Sequence, residues 1–155
     1  MDHMKHILSY TRRALDDYEM IRPRDKVAVG VSAGKDSLAL LCAMARIRQF
    51  YPIPFELTAI TVDMGFDGKS GDFSGIRDLC ASLDVPYKVI PSEISHIIFD
   101  VRKEQNPCSL CAKMRRGALN DAIKARGISK LALGHHFDDA VEPFMMSLLF
   151  EGRLS

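Results

Sequence analysis

The chain has 155 residues, of which 47% are hydrophobic and 26% charged, with a net charge of +1 and four cysteines. This composition indicates one soluble globular domain and excludes a disordered or fibrous chain. No apolar run reaches the length of a transmembrane helix, and the first residues lack the apolar core of a signal peptide. We therefore expect a cytoplasmic protein with no membrane partner, in a reducing compartment where cysteines serve metal or redox chemistry.

The predicted elements alternate between helices and strands along the chain. Helices are predicted over residues 3–20, 36–50, 73–83, 106–125 and 139–150, with a helical turn at 94–99. Strands are predicted over residues 27–31, 55–63, 86–90 and 129–133. This alternation predicts an α/β fold, a doubly wound parallel sheet with helices on both faces.

The first predicted strand leads directly into a turn of small and polar residues, SAGKDS at 32–37. The strand itself, 27–31, has no polar alternation, which is typical of a strand buried on both faces. An apolar helix follows the turn. This order directs several backbone N–H groups and a helix dipole at one point, and so predicts a phosphate site.

The turn differs from two common phosphate loops. A Walker A loop has Ser or Thr directly after its Lys, whereas Asp36 follows Lys35. A dinucleotide fingerprint needs G-x-G-x-x-G, which is absent. Residues 32–37 instead resemble the SGGKDS signature of the PP-loop ATP pyrophosphatases, which cleave ATP to AMP and pyrophosphate. Ala33 stands where that family usually has Gly, and it would cost about 1 kcal/mol if the position needed positive φ. A turn without a ligand is the alternative.

A second candidate site is the pair Cys108-x-x-Cys111 at the predicted start of a helix. The helix dipole and the basic residues that follow favour thiolates, which bind metal or attack sulfur; these residues are Lys113, Arg115 and Arg116. Three interpretations stay open: a redox pair, a zinc site that needs two more ligands, and an iron–sulfur site that needs at least three thiolates. Cys42 and Cys80 are expected in the core.

The residues around these cysteines carry a closer resemblance. Residues 108–119, CSLCAKMRRGAL, are similar to the CxxC-x-x-x-RRG segment of the tRNA 2-thiocytidine synthetase family. Residues 133–139, LGHHFDD, are similar to its LGHHxDD signature. With the turn at 32–37, three motifs agree in order and spacing over 26–154. The resemblance implies an N-terminal helix at 1–25 and a PP-loop ATP-binding domain at 26–155, without the C-terminal part of the longer family members.

The resemblance also implies a reaction and its partners. ATP would adenylate the C2 carbonyl of a tRNA cytidine, and sulfur would displace AMP. A 4Fe–4S cluster would be held by Cys108 and Cys111, with a third cysteine from outside this chain. A sulfur donor such as a cysteine desulfurase is a further implied partner, and a homodimer that shares the cluster is an additional hypothesis.

The same resemblance implies roles for individual residues. Catalytic roles are expected for Lys35, Asp36, Asp138 and Asp139, and the last two would bind Mg²⁺ through their oxygens. The predicted nucleotide-binding residues are Ser32, Ala33, Gly34, Lys35, Asp36, Ser37, Val62, Asp63, Arg116, Gly134 and His135. Structural alternatives are helix N-capping by the two aspartates and strand-end capping by His135 and His136.

Two further observations bear on function. Residues 102–130 carry eight Lys and Arg against two acidic residues, so this segment could contact RNA phosphates or simply form a solvated helix face. Pro143 stands where the family usually has Thr. Two other functions stay open: the same ATP chemistry with another acceptor, as in lysidine formation or amidation, and a non-catalytic nucleotide-binding fragment.

Overall fold

The computed structural model describes residues 3–66, 69–101 and 107–135. It contains strands β1 (Lys26–Gly30), β2 (Glu56–Asp63), β3 (Tyr87–Pro91) and β4 (Lys130–Leu133). They form one sheet in the order β3-β2-β1-β4, and every pairing is parallel. The predicted α/β fold is confirmed, and the ends of each predicted strand lie within one residue of those observed.

The helices are α1 (His3–Asp17), α2 (Lys35–Arg48), α3 (Ser74–Ser82), the short α4 (Ile94–His96) and α5 (Pro107–Ala125). A π-helical turn, Ile97–Val101, follows α4 directly. The first helix ends three residues before its predicted end because Glu19 adopts a left-handed conformation, with φ of 46°. The predicted helix at 139–150 and Pro143 lie outside the described residues.

Helices cover both faces of the sheet, as predicted. On one face, Val27 and Val29 of β1 pack in a buried cluster with side chains of α1, α2 and α3. On the other face, Ala28 packs in a second cluster with α4, the π-helical turn and α5. Successive side chains of a strand point to opposite faces, which explains why a central strand must be apolar throughout.

This topology determines which loops and polar side chains lie close together. Because the strands are parallel, the carboxyl ends of β1, β2 and β4 meet at one edge of the sheet. The turn at 32–37, the loop after β2 and the residues after β4 therefore lie together, although they are far apart in sequence. Within the described ranges, no helix combines the length and hydrophobicity needed to cross a membrane.

The core on the α2 face yields a first prediction. Leu41 is 0% exposed in α2, so Leu41→Ala removes buried methyl groups and leaves a cavity. We expect the free energy of unfolding, measured by urea titration, to fall by about 2–5 kcal/mol. Ile7→Ala, at a position 37% exposed in α1, is the aliphatic control. An equal loss in both variants would contradict the placement of Leu41 in the core.

Candidate functional site

The turn between β1 and α2 is held closed by the hydroxyl of Ser37. This side chain is buried, 7% exposed, at the start of α2. Its Oγ lies 2.9 Å from the carbonyl oxygens of both Ser32 and Gly34, to which its single proton can be donated. The backbone N–H of Ser32 donates to the same Oγ at 3.0 Å. The turn is therefore folded around one serine, which leaves the start of α2 facing the edge of the sheet.

Ala33 fits this turn without backbone strain. Gly34, which precedes the helix, has φ of −74° and ψ of 142°, an extended conformation open to any residue. The non-glycine residues with positive φ in the described part of the chain are Glu19, Arg24 and Asp84. The condition under which Ala33 would be costly, a left-handed backbone, is not met.

A relay of two hydroxyl groups fixes the end of β1 from the neighbouring strands. Tyr87 of β3 donates to Thr61 Oγ1 at 2.9 Å, and Thr61 Oγ1 donates to the carbonyl oxygen of Val31 at 2.9 Å. Burial raises the pKa of the Tyr87 hydroxyl, which keeps it protonated as the donor. Val31 also donates its N–H to the Ile60 carbonyl at 2.8 Å. Both the N–H and the carbonyl group of Val31, which directly precedes the turn, are therefore held by hydrogen bonds to β2.

A cleft opens at the carboxyl edge of the sheet, above this turn. Its lining combines the turn, the end of β2, the exposed side of α5 and the residues after β4. The predicted nucleotide-binding residues that it brings together are Ser32, Ala33, Ser37, Val62, Arg116, Gly134 and His135. An anion in this cleft would meet backbone N–H groups at a helix start and a guanidinium group opposite them.

Other predicted residues lie beside the cleft without lining it. Gly34, Lys35 and Asp36 form the end of the turn and the first turn of α2. Asp138, Asp139 and His136 lie outside the described residues. The lining residues that were missed from the sequence include Thr61, Met64 and Arg115. β2 contains other polar residues, so polarity alone does not distinguish Thr61, and nothing in the sequence separated the direction of Arg115 from that of its neighbours.

Gly134, directly after β4, packs against the backbone at the end of the turn. A Cβ atom at this position would lie 2.9 Å from the backbone of Asp36 and Ser37, a distance that side chains do not tolerate. The glycine is therefore required by close approach of two backbones, as at other sites where backbone must come near a ligand or another chain segment. It keeps His135 next to the start of α2.

Asp63, a predicted nucleotide-binding residue, has its partners in the loop that follows β2. Its carboxylate accepts hydrogen bonds from the Ser70 hydroxyl at 2.6 Å and from the backbone N–H groups of Gly65 and Gly71 at 3.1 and 3.3 Å. The Ser70 hydroxyl, supported by these N–H groups, holds the pKa of Asp63 below its ordinary value. The side chain organises the loop beside the cleft.

The two thiols of the Cys-x-x-Cys pair lie on the first turns of α5. Cys108 is exposed and Cys111 half-buried, and a spacing of three residues places them on neighbouring positions of the helix surface. Cys80 is buried, as predicted, whereas Cys42 is only partly buried. Cys80 packs in the cluster of the opposite sheet face, so it cannot join the pair on α5. Among the described residues, no group of three or more metal-binding side chains forms.

Comparison with known sequences identifies the type of domain. The model of the PP-loop domain matches residues 5–154. The tRNA-cytidine(32) 2-sulfurtransferase of Pelobacter propionicus is 41% identical over 92% of this chain and 52% of the relative. That of Alkalilimnicola ehrlichii is 39% identical over 97% of this chain and 48% of the relative. The chain spans about half the length of the curated relatives it matches.

Comparison with solved structures agrees with the sequence relatives. The U34-tRNA thiolase NcsA from Methanococcus maripaludis, solved with its [4Fe-4S] cluster, is 28% identical, with a TM-score of 0.78. The match covers 97% of this chain and 51% of that one. The NH3-dependent NAD synthetase from Campylobacter jejuni has a TM-score of 0.57 at 15% identity, over 91% of this chain and 58% of that one. This second likeness shows the fold alone.

The hydrogen bonds of Asp63 predict a pH dependence. Because its pKa is lower in the folded state, its contribution to stability is present above the unfolded pKa of about 4 and is lost as the pH falls through the folded pKa. In urea titrations from pH 7 down to pH 3, the free energy of unfolding of the wild type should fall more steeply below about pH 4 than that of Asp63→Asn.

Asp78→Asn, at an exposed position of α3, controls for the loss of one negative charge. If Asp63→Asn reproduced the wild-type pH profile, the loop would not depend on this carboxylate.

Proposed function

Because the chain belongs to the PP-loop family, we propose that it binds ATP at the turn of residues 32–37 and activates a tRNA cytidine for thiolation. The observation that supports this proposal most directly is the convergence of that turn, Arg116 and His135 on one cleft. The relatives named as cytidine sulfurtransferases support cytidine as the acceptor. The tRNA thiolase solved with its cluster supports the sulfur chemistry.

ATP solves a specific chemical problem in this reaction, because a carbonyl oxygen is a very poor leaving group. The C2 oxygen of cytidine attacks the α-phosphorus of ATP, the bond to the β-phosphate breaks, and pyrophosphate leaves. Sulfur at the oxidation level of sulfide then attacks C2, and AMP leaves with the former carbonyl oxygen. Lys35, at the start of α2, neutralises charge that develops on the departing pyrophosphate.

The other predicted residues have supporting roles in this proposal. Ser32, Gly34 and Ser37 shape the turn whose N–H groups bind phosphate, and Arg116 faces the turn from α5. Asp36 lies in the first helical turn of α2, where its charge complements the helix dipole. Asp138 and Asp139, outside the described residues, are proposed to hold Mg²⁺, which prefers oxygen ligands.

The donor set on α5 fits a thiolate-bound cluster. Cys108 and Cys111 would supply two ligands of a 4Fe–4S cluster from one helix face, and a third cysteine would come from outside this chain. When bound, such a cluster provides an iron to which the transferred sulfur can attach. Lys113, Arg115 and Arg116 are exposed on the same helix, and their positive charges would offset the negative charge of a thiolate-bound cluster.

Other acceptors for the same ATP chemistry, as in lysidine formation or amidation, need no thiolate and leave the exposed Cys108 without a role. A cysteine desulfurase is proposed as the sulfur donor. It supplies sulfur as a protein persulfide, which a thiol reductant converts to sulfide by a two-electron reduction before the sulfur attacks C2. The cytoplasmic location and the homodimer stay predictions from the sequence.

The proposed role of Lys35 predicts the outcome of its removal. With ATP, tRNA and sulfide under anaerobic conditions, Lys35→Ala should release AMP and pyrophosphate about 100-fold more slowly than the wild type, because one charge on the leaving group is no longer neutralised. Thiolated cytidine, measured by mass spectrometry of digested tRNA, should fall in parallel. Lys88→Ala, at an exposed position of β3, is the control. Wild-type turnover by Lys35→Ala would refute the assignment.

The proposed cluster predicts a second set of variants. Anaerobic reconstitution of the protein with iron and sulfide should give visible charge-transfer absorption and bound iron. Both should be lost in Cys108→Ala and in Cys111→Ala, because a cluster needs at least three thiolate ligands. Cys42→Ala, in α2 on the opposite side of the sheet, should retain the iron. Absence of a chromophore in the wild type would favour an acceptor other than sulfur.

A further inference from the structure

A groove beside the nucleotide cleft exposes two phenylalanine rings that face each other. Phe66, after β2, is 56% exposed, and Phe99, in the π-helical turn, is 52% exposed. Their ring centroids lie 6.5 Å apart, with 42° between the ring planes. Single exposed apolar residues are common, but an exposed aromatic pair at the carboxyl edge of a parallel sheet lies where such folds bind ligands. The pair lines a groove of about 560 Å³.

The groove and the nucleotide cleft share one segment of backbone. Val62 and Met64 line the cleft, while the alternate residues Asp63 and Gly65 line the groove. A molecule that occupied both would therefore pass over the loop after β2. A base in the groove would be a near neighbour of the group that reacts with ATP.

The backbone that carries the rings is held in place by hydrogen bonds. Ser92 Oγ donates to the Asp63 carbonyl at 2.6 Å, and Ser95 Oγ donates to the Gly65 carbonyl at 2.6 Å. The N–H of Ser95 donates to the Met64 carbonyl at 3.0 Å. Next to Phe99, Ile98 is 0% exposed and anchors the π-helical turn in the core. Such π-helical turns are rare, and many of those that are known lie at functional sites.

The charges of the groove favour a nucleobase over a phosphate. Its lining holds three carboxylates, Asp63, Glu93 and Asp100, against Lys69 and His96. Asp63 is occupied by its loop, and Asp100 lies 2.8 Å from the Nδ1 of His96. The exposed Glu93 is left to face a ligand. Carboxylates repel phosphate, but they accept hydrogen bonds from exocyclic amines, as they do from the N4 amine of cytosine.

We propose that this groove binds an unpaired, amine-bearing base of the RNA substrate, cytosine or adenine, stacked on Phe66 and Phe99 with its amine directed to Glu93. The proposal rests on the proposed function, since it takes tRNA as the substrate. Single-stranded RNA loops are recognised in this way, by aromatic stacking of splayed bases together with hydrogen bonds to base edges. The basic face of α5, on the other side of the cleft, would meet the phosphates.

The test replaces the two rings by leucine side chains, which keep the positions apolar but cannot stack on a base. Phe66→Leu/Phe99→Leu should raise the Kd for a fluorescein-labelled tRNA anticodon stem-loop about 5- to 100-fold, because stacking on each ring is lost. The Kd for ATP, measured by calorimetry, should not change. Phe50→Leu, at a position just after α2 where the side chain is also 52% exposed, should bind both ligands as the wild type does. Circular dichroism of the variants checks the fold.

Two further measurements identify the ligand in the groove. Stem-loops with 5-iodocytidine at single loop positions should photocrosslink to the peptide of Phe66 or Phe99 at one position. Replacing the amine-bearing base at that position by its oxo analogue, uracil or hypoxanthine, should weaken binding to the wild type. The same replacement should have a smaller effect on Glu93→Gln, because its amide can donate to the oxo group.

The outcomes separate this inference from the proposed function. An unchanged RNA Kd in the double variant overturns the stacking groove while the proposed function stands. RNA binding that depends on both rings, in a protein that releases no pyrophosphate, supports the groove and refutes the proposed function. A wild type that binds no RNA overturns both. If the double variant keeps its RNA affinity but loses binding to a sulfur-donor protein, the groove is a protein-docking surface and the inference is wrong.

Discussion

The buried hydroxyl of Ser37 is the interaction on which the candidate site depends. By bonding to the backbone on both sides of the turn, it closes six residues into a compact loop and leaves the start of α2 facing the edge of the sheet. The hydroxyl relay from Tyr87 through Thr61 sets the point at which this loop begins. The phosphate binding proposed for this turn would need few charged side chains, because aligned backbone dipoles at a helix start supply much of the field.

The crossover topology explains how one small domain brings the proposed phosphate turn and the two thiols of α5 to the same edge of the sheet. The turn belongs to the unit formed by β1 and α2, whereas the two thiols belong to α5, on the opposite face of the sheet. Residues from the helices of both faces line the cleft at the carboxyl edge, where Arg115 and Arg116 of α5 lie opposite the turn. The position of a sulfur-bearing group beside an activated oxygen would thus follow from strand order.

The architecture and part of the site could be predicted from the sequence because they depend on local patterns. An uninterrupted apolar run marked β1, the alternation of strands and helices indicated the parallel sheet, and small residues before an apolar helix marked the turn. The contacts of Tyr87 with Thr61 and of Asp63 with Ser70 could not be predicted, since they depend on strand register and on the path of a loop. The aromatic pair of Phe66 and Phe99 joins segments more than thirty residues apart, and neither segment has a distinctive pattern.

The close approach at Gly134 has a consequence for protein engineering. The backbone of Asp36 and Ser37 leaves no room for even one methyl group at Gly134. The structure of the six-residue turn therefore depends on close packing against the segment that follows β4, which is distant in sequence. A designer who transplanted only the linear peptide into another scaffold would obtain a flexible hairpin of serines and glycine. The unit that would have to be transferred consists of the ends of β1 and β4, the turn and Gly134. A search for the short motif alone would overlook this unit.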